Sequence, residues 1–312
     1  MKILKLFFVH IFTVSLLFAQ TPEETAKKVY LANINTLLIF TSESGLSSGN
    51  YTFTRSGFKM KSYSLPYRYN LAPLDSRLSL FLNGTVGYSI TRLVTQTSTR
   101  SAANDEDIVL RHDNKLQTYT GGVGLGLGYK SDLGIDFLGS LGIIYSRVGT
   151  SIQPNDEIGE AIKDFFDGEY NDNITYRFYL AAEYEKKIEG FKTFATMDFK
   201  SYETKADFTL NALSGFSTQS NVTGLSFGLE TPSLLQYKEN FLSLEGYIKL
   251  NYLHGDIKDV VQFDKYMNIG SLAYWNTPSL PTWAKRFYVE VSTVRAEGLE
   301  GYNVGIGFSL DY

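Results

Sequence analysis

The sequence predicts an all-β fold: a transmembrane antiparallel β-barrel of about twelve strands, preceded by a short N-terminal helical segment. Three observations carry this. Apolar and polar residues alternate with a period of two over most of the chain from residue 46 onward. The alternating runs are long, often about 11–15 residues, whereas strands of soluble sandwiches average about 5–6 and a tilted membrane-crossing strand needs about 9–11. The aromatic load is also high, with 22 Tyr, 22 Phe and 2 Trp in 312 residues, in a chain of slightly polar mean hydropathy. A soluble core large enough to hold those rings would make the chain more apolar; rings that face lipid need no such core.

The elements follow in order. Met1–Ala19 reads as a secretory signal: Lys2 and Lys5 form a positive start, Leu6–Phe18 is an apolar stretch too short to span a bilayer as a helix, and Ala19 precedes a polar sequence. Leu17 departs from the small residue preferred near a cleavage point. Loss of Lys2 and Lys5 would make a chain of net charge −4 more acidic still. Residues 20–45 form a separate segment. Thr21 before Pro22, with Glu24 three residues on, is a helix-start signature, and Val29, Leu31, Ile34, Leu37 and Leu38 make a rough apolar stripe. A helix in the periplasm, a helix plugging the lumen and a first strand at its end all fit these residues.

From residue 46 to residue 312 the alternation places strands at 46–54, 58–72, 77–93, 116–130, 134–148, 174–187, 191–212, 221–230, 241–254, 258–275, 285–297 and 302–312. Tyrosines close the apolar faces at Tyr88, Tyr129, Tyr145, Tyr184, Tyr252, Tyr302 and Tyr312, where an interfacial girdle sets its amphipathic rings. Connections at 73–76, 131–133 and 188–190 are tight and share one side, whereas 94–115 and 149–173 are long and lie opposite. Short turns on one side and long loops on the other are the asymmetry of an outer-membrane barrel. Thr231–Asn240 and Asn276–Ala284 are longer than that rule prefers.

Composition narrows the chemistry. The absence of cysteine excludes a disulfide scaffold, a Cys-ligated metal or cluster and a thiol nucleophile. His10, His112 and His254 form no metal-binding motif, so neither a metal nor a cofactor is expected. The acidic balance offers no footprint for nucleic acid. Asp256 and Asp259 near His254, and Asp105, Glu106 and Asp107 near His112, resemble catalytic pairings only superficially, and no serine nucleophile accompanies them. The expectation is therefore no enzyme, with barrel hydrolases of the phospholipase or omptin kind left open because their sites join distant strands. The Gly121–Gly128 run keeps strict alternation with apolar residues, so it lies within a strand and is no nucleotide loop. Its inward glycines admit two explanations: sheet curvature, or room for the N-terminal segment against the wall. Projecting the alternation inward gives a candidate lumen-lining set of both signs: Arg177, Glu183, Lys192, Asp198, Lys200, Glu245, Lys249, Arg286 and Glu290. Such charges must pair or line water.

A helical segment followed by about twelve strands resembles the translocator barrel of autotransporters. The final strand, Tyr302 to Tyr312, is similar to the C-terminal signal by which outer-membrane barrels are recognised for assembly, with Val304, Ile306, Phe308, Leu310 and Tyr312 at alternating positions. Tyr63–Leu71 resembles the solitary autotransporter-like barrels, which keep the barrel and lack a passenger. The resemblance covers most of residues 46–312. It departs at Asn33–Ile34–Asn35, where some autotransporters carry an Asn–Asn pair and cut themselves. It implies a protein of the bacterial outer membrane with a structural or translocator-like role, whose partners are outer-membrane lipid and the assembly machinery. The alternative is a porin-like diffusion channel for small solutes. The sequence leaves the oligomeric state open.

Overall fold

Alternation over this length gives each strand one apolar and one polar face, and the chain satisfies both by closing a sheet on itself. The computed structural model describes Ile34 and residues 36–40, 45–100, 107–153, 170–207, 216–280 and 285–308. Thirteen strands follow in order: β1 (Leu46–Phe53), β2 (Phe58–Pro73), β3 (Leu78–Arg100), β4 (Asp107–Lys130), β5 (Ile135–Gln153), β6 (Tyr170–Ile188), β7 (Phe191–Asp207), β8 (Phe216–Glu230), β9 (Leu235–Tyr237), β10 (Asn240–Gly255), β11 (Lys265–Asn276), β12 (Arg286–Ala296) and β13 (Leu299–Phe308). Each wall strand pairs antiparallel with its neighbours, and β1 pairs with β13 to close the circle. Leu46 stands opposite Ile306 at one end of that seam and Phe53 opposite Leu299 at the other. Three-residue β9 only decorates the turn before β10, so the wall has twelve strands.

We call the end at which β1 begins the lower end. The lower turns are tight: Glu189 and Gly190 both take positive φ, 52° and 87°, the twist a two-residue hairpin needs. Apolar side chains face out of the wall. Leu125, Leu141 and Ile143 expose 52%, 67% and 54% of their surface, while inward Thr118 and Ser140 are buried. That inversion of the usual soluble pattern identifies the outer surface as one made for lipid.

Strand boundaries on the lower side match the alternation to within about two residues. The upper side differs. Residues 94–115, expected as a long loop, are largely strand, because β3 and β4 stay paired up to Arg100 and Asp107. The expected strand 258–275 begins instead with a short helix, α2 (Asp256–Val261), after which β11 starts at Lys265. Ile257 and Val261 explain this: they face the interior together and are fully buried, a helical rather than a strand spacing. β13 starts at Leu299 rather than at residue 302, since Gly298 (φ 90°) turns the chain within two residues of β12. Leu310, Tyr312 and the end of the expected strand 191–212 lie outside the described residues.

Candidate functional site: the lumen

Residues 36–40 form one helical turn, α1, inside the barrel. With Ile34 they bury Leu37, Leu38 and Phe40 against the upper half of the wall. Phe40 sits at the centre of an aromatic group, with ring centroids 4.7 Å from Tyr266, 5.6 Å from Tyr51 and Phe53, and 6.4 Å from Phe263. The core around it gathers Phe58 and Met60 of β2, Val222, Leu253, Val294, Leu299 and both buried residues of α2. A second cluster joins Ile34 and Leu38 to Leu116, Ile144, Val148, Tyr202 and Ala206. Ile39 packs on both clusters, so α1 links them into an apolar filling whose buried residues come from ten of the twelve wall strands. Two carbonyls of the segment are met by the wall: the Tyr51 hydroxyl donates to the Phe40 carbonyl oxygen, and the Tyr202 hydroxyl donates to that of Leu38 at 3.4 Å, while the buried Thr36 hydroxyl has no partner among the described residues.

The inward glycines of β4 make room for side chains of a neighbouring strand, a purpose not among the two expected. The space above Gly126 is filled by the Phe81 ring, and that above Gly124 by the Asn83 amide, both from neighbouring β3. Leu37 reaches a different glycine: its Cδ1 lies 3.8 Å from where a Cβ would stand on Gly87.

Below the apolar filling lies a cavity of about 1070 Å³ roofed by Leu37, Leu38 and Ile39. Arg68, Asn83, Arg177, Glu183, Lys200, Tyr274 and Tyr288 line it. Towards the seam it extends to the outward residues Leu65, Phe287, Ile306 and Phe308. There β1 has not yet begun, and among the described residues β2 beyond Ser64 pairs with β3 alone. Pro66, which has no N–H to offer, falls in this one-sided stretch.

The nine charged residues projected inward occupy inward positions and form distinct groups. Asp198 of β7 and Lys249 of β10 pair at 2.7 Å, nearly out of contact with solvent. They meet across β8 because Gly224 lies between them: a Cβ there would stand 2.5 Å from Asp198 Oδ1 and 2.8 Å from Lys249 Cε. Arg286 pairs with Glu230 at 2.6 Å and lies over the Tyr274 ring at 3.5 Å, while the Tyr274 hydroxyl donates to Glu245 at 3.0 Å. Glu290 accepts from the Tyr247 hydroxyl at 2.6 Å. Arg177 donates to Asn83, Glu183 stands 3.7 Å from Arg68, Lys192 pairs with Glu185 at 2.7 Å, and Lys200 lies 6.0 Å from the Tyr179 ring centroid. Sequence reasoning missed Arg68, Glu230 and Tyr274; alternation along β2, β8 and β11 would have pointed all three inward. Among the described residues no group of three His, Asp or Glu is placed to hold a metal ion.

A closed ring of twelve antiparallel strands has known counterparts. The beta domain of the Bordetella autotransporter BrkA superposes with a TM-score of 0.53 at 8% identity, covering 86% of this chain and all of that one. The translocator domain of the autotransporter NalP from Neisseria meningitidis gives 0.53 at 10% identity, with 91% and 96% covered. The transport unit of the autotransporter AIDA-I from Escherichia coli gives 0.53 at 10%, with 93% and 99% covered. The fold resembles an autotransporter translocator barrel. At such identities the likeness is one of fold, and no family model and no curated protein matches the sequence. In this translocator-like barrel Val304, Ile306 and Phe308 all point outward on the last described strand.

Proposed function

We propose that the chain is an integral barrel of the bacterial outer membrane, translocator-like in form and structural in role, which its own N-terminal segment keeps closed. One observation carries this reading: the Phe40-centred apolar core, with α1 and α2 packed into it, occupies the upper half of the lumen. A diffusion channel needs a continuous polar path, and an apolar filling set across the lumen interrupts such a path. Of the charges below it, several are held in ion pairs and others by tyrosine or asparagine side chains, as expected of groups in a confined lumen whose solvation is incomplete.

In this reading Met1–Ala19 is the export leader, residues 20–45 are the N-terminal segment whose helical turn at 36–40 plugs the lumen, and the wall runs from residue 46. The lower end faces the periplasm. Val304, Ile306, Phe308, Leu310 and Tyr312 form the signal read by the outer-membrane assembly machinery, and outer-membrane lipid is the barrel's constant partner. N-terminal sequencing of protein recovered from outer membranes should begin at Gln20. Planar-bilayer recording tests the closed state: the purified barrel should show no steady openings, and stable ohmic conductance would overturn the structural reading in favour of the channel.

A further inference from the structure

Where β2, β3 and β4 rise towards the upper edge, cations face outward in a row. Lys59 stands directly opposite Arg92, and Arg92 directly opposite Lys115. Lys61 follows on the same face of β2. Like charges directly opposed across a sheet destabilise it. Elsewhere near this edge cations stand opposite acids, although Asp172 also stands opposite Asp207 across β6 and β7. Arg147 faces Asp172 across β5 and β6 and donates to it at 3.0 Å, and Arg295 faces Glu300 across β12 and β13. Among the described residues Lys59, Lys61, Arg92 and Lys115 have no ion pair. Four residues further down β3 and β4, Tyr63, Tyr88 and Tyr119 stand opposite one another across the same three strands. Their ring centroids are 6.2 Å and 4.9 Å apart, and outward Leu65 and Val86 continue the face downward.

The order along this face is therefore cation row, aromatic row, apolar wall. With strands about 4.8 Å apart, the three opposed cations span roughly 10 Å, and the step from cation row to tyrosine row is about 13 Å. A point anion neutralises one member of such a row; a headgroup carrying more than one phosphate neutralises the whole of it. We propose that this face binds a phosphate-bearing glycolipid of the outer leaflet. Its phosphates lie against Lys59, Lys61, Arg92 and Lys115, its sugar rings on Tyr63, Tyr88 and Tyr119, and its acyl chains along Leu65 and Val86. The choice of leaflet rests on the outer-membrane reading above; the surface chemistry does not.

The test uses the purified full-length barrel in neutral detergent micelles, with native mass spectrometry reading retained lipid. Diphosphoryl lipid A, monophosphoryl lipid A and phosphatidylglycerol are the probes. The wild-type barrel should retain them in that order. A cation beside a charged headgroup contributes roughly fivefold, so Lys59→Gln/Arg92→Gln/Lys115→Gln should bind diphosphoryl lipid A about a hundredfold more weakly. Equal retention of the three lipids by the wild type, or of diphosphoryl lipid A by wild type and triple variant, overturns the proposal. Heat-modifiable mobility reports folding; if the triple variant does not fold, Arg92→Gln alone, with an expected loss of about fivefold, decides in the same way. Cell fractionation reads the location separately. A barrel absent from the outer membrane would sink the location, while the micelle measurement still decides the surface.

Discussion

Phe40→Ala removes the ring at the centre of the upper core. Phe40 is 4% exposed and meets four other rings, those of Tyr51, Phe53, Phe263 and Tyr266. Truncating a buried Phe to Ala costs about 3–5 kcal/mol, the upper part applying where neighbours cannot collapse into the gap. Here Tyr51, Phe53 and Tyr266 are anchored on strands of a closed wall, and the Tyr51 hydroxyl also lies against the Asn303 side chain, so collapse is restricted. The backbone acceptor for Tyr51 survives the substitution, so the loss is one of packing. We expect a destabilisation of about 4 kcal/mol in urea unfolding of the detergent-folded barrel, with flickering conductance in planar bilayers as α1 loosens. An unfolding free energy within about 0.5 kcal/mol of wild type, together with silent bilayers, would refute the placement of this ring in the core.

Other outcomes follow from the lumen. Lys249→Met should destabilise by about 3–5 kcal/mol by leaving Asp198 buried and charged, whereas Asp198→Leu/Lys249→Met should return most of that loss; a double variant that costs the sum of Asp198→Leu and Lys249→Met in urea unfolding would show that the pair is uncoupled. Gly228→Ala drives a Cβ into the Phe194 ring and should cost about 1–3 kcal/mol, with Phe194→Leu restoring stability in the double variant. In the β2–β3 turn, Asp75 accepts the backbone N–H groups of Arg77 and Leu78, both at 2.6 Å, which holds its carboxyl below the usual range. A depressed folded-state pKa stabilises above the unfolded value, about 3.9, and the effect is lost as pH falls through the folded value. Amide exchange at Arg77 and Leu78 should therefore accelerate on acidification below about pH 4, and Asp75→Asn should abolish that dependence.

The wall was legible in the sequence because a barrel strand states its two faces residue by residue. Val123, Leu125 and Leu127 between glycines, or Val304, Ile306 and Phe308 between small residues, leave no other arrangement of faces. Strand ends on the lower side were legible too, since Pro73 and the Glu189–Gly190 turn mark them locally. The upper end was not. Val261 falls within the expected strand 258–275 and Ile257 just before it, and only the core they meet selects a helical turn for them. In the lumen, alternation gives the direction in which Asp198 and Lys249 point, but not that they touch. Their contact depends on Gly224 of the strand between them and on the register that brings it there, a relation no local spacing contains. The glycine run of β4 failed for the same reason: its partners Phe81 and Asn83 sit on another strand.

The most direct test of a lumen closed by its own N-terminal segment is a crosslink between that segment and the wall. The chain has no cysteine, so Leu37→Cys/Gly87→Cys introduces two unique thiols and leaves the Phe40 core intact, at positions where Leu37 Cδ1 lies 3.8 Å from a Cβ built on Gly87. A short bis-thiosulfonate reagent applied to the folded barrel in outer membranes should join residues 37 and 87 in high yield, shown by a linked peptide pair in mass spectrometry. Folded barrels with both thiols labelled separately and no linked peptide would contradict the account.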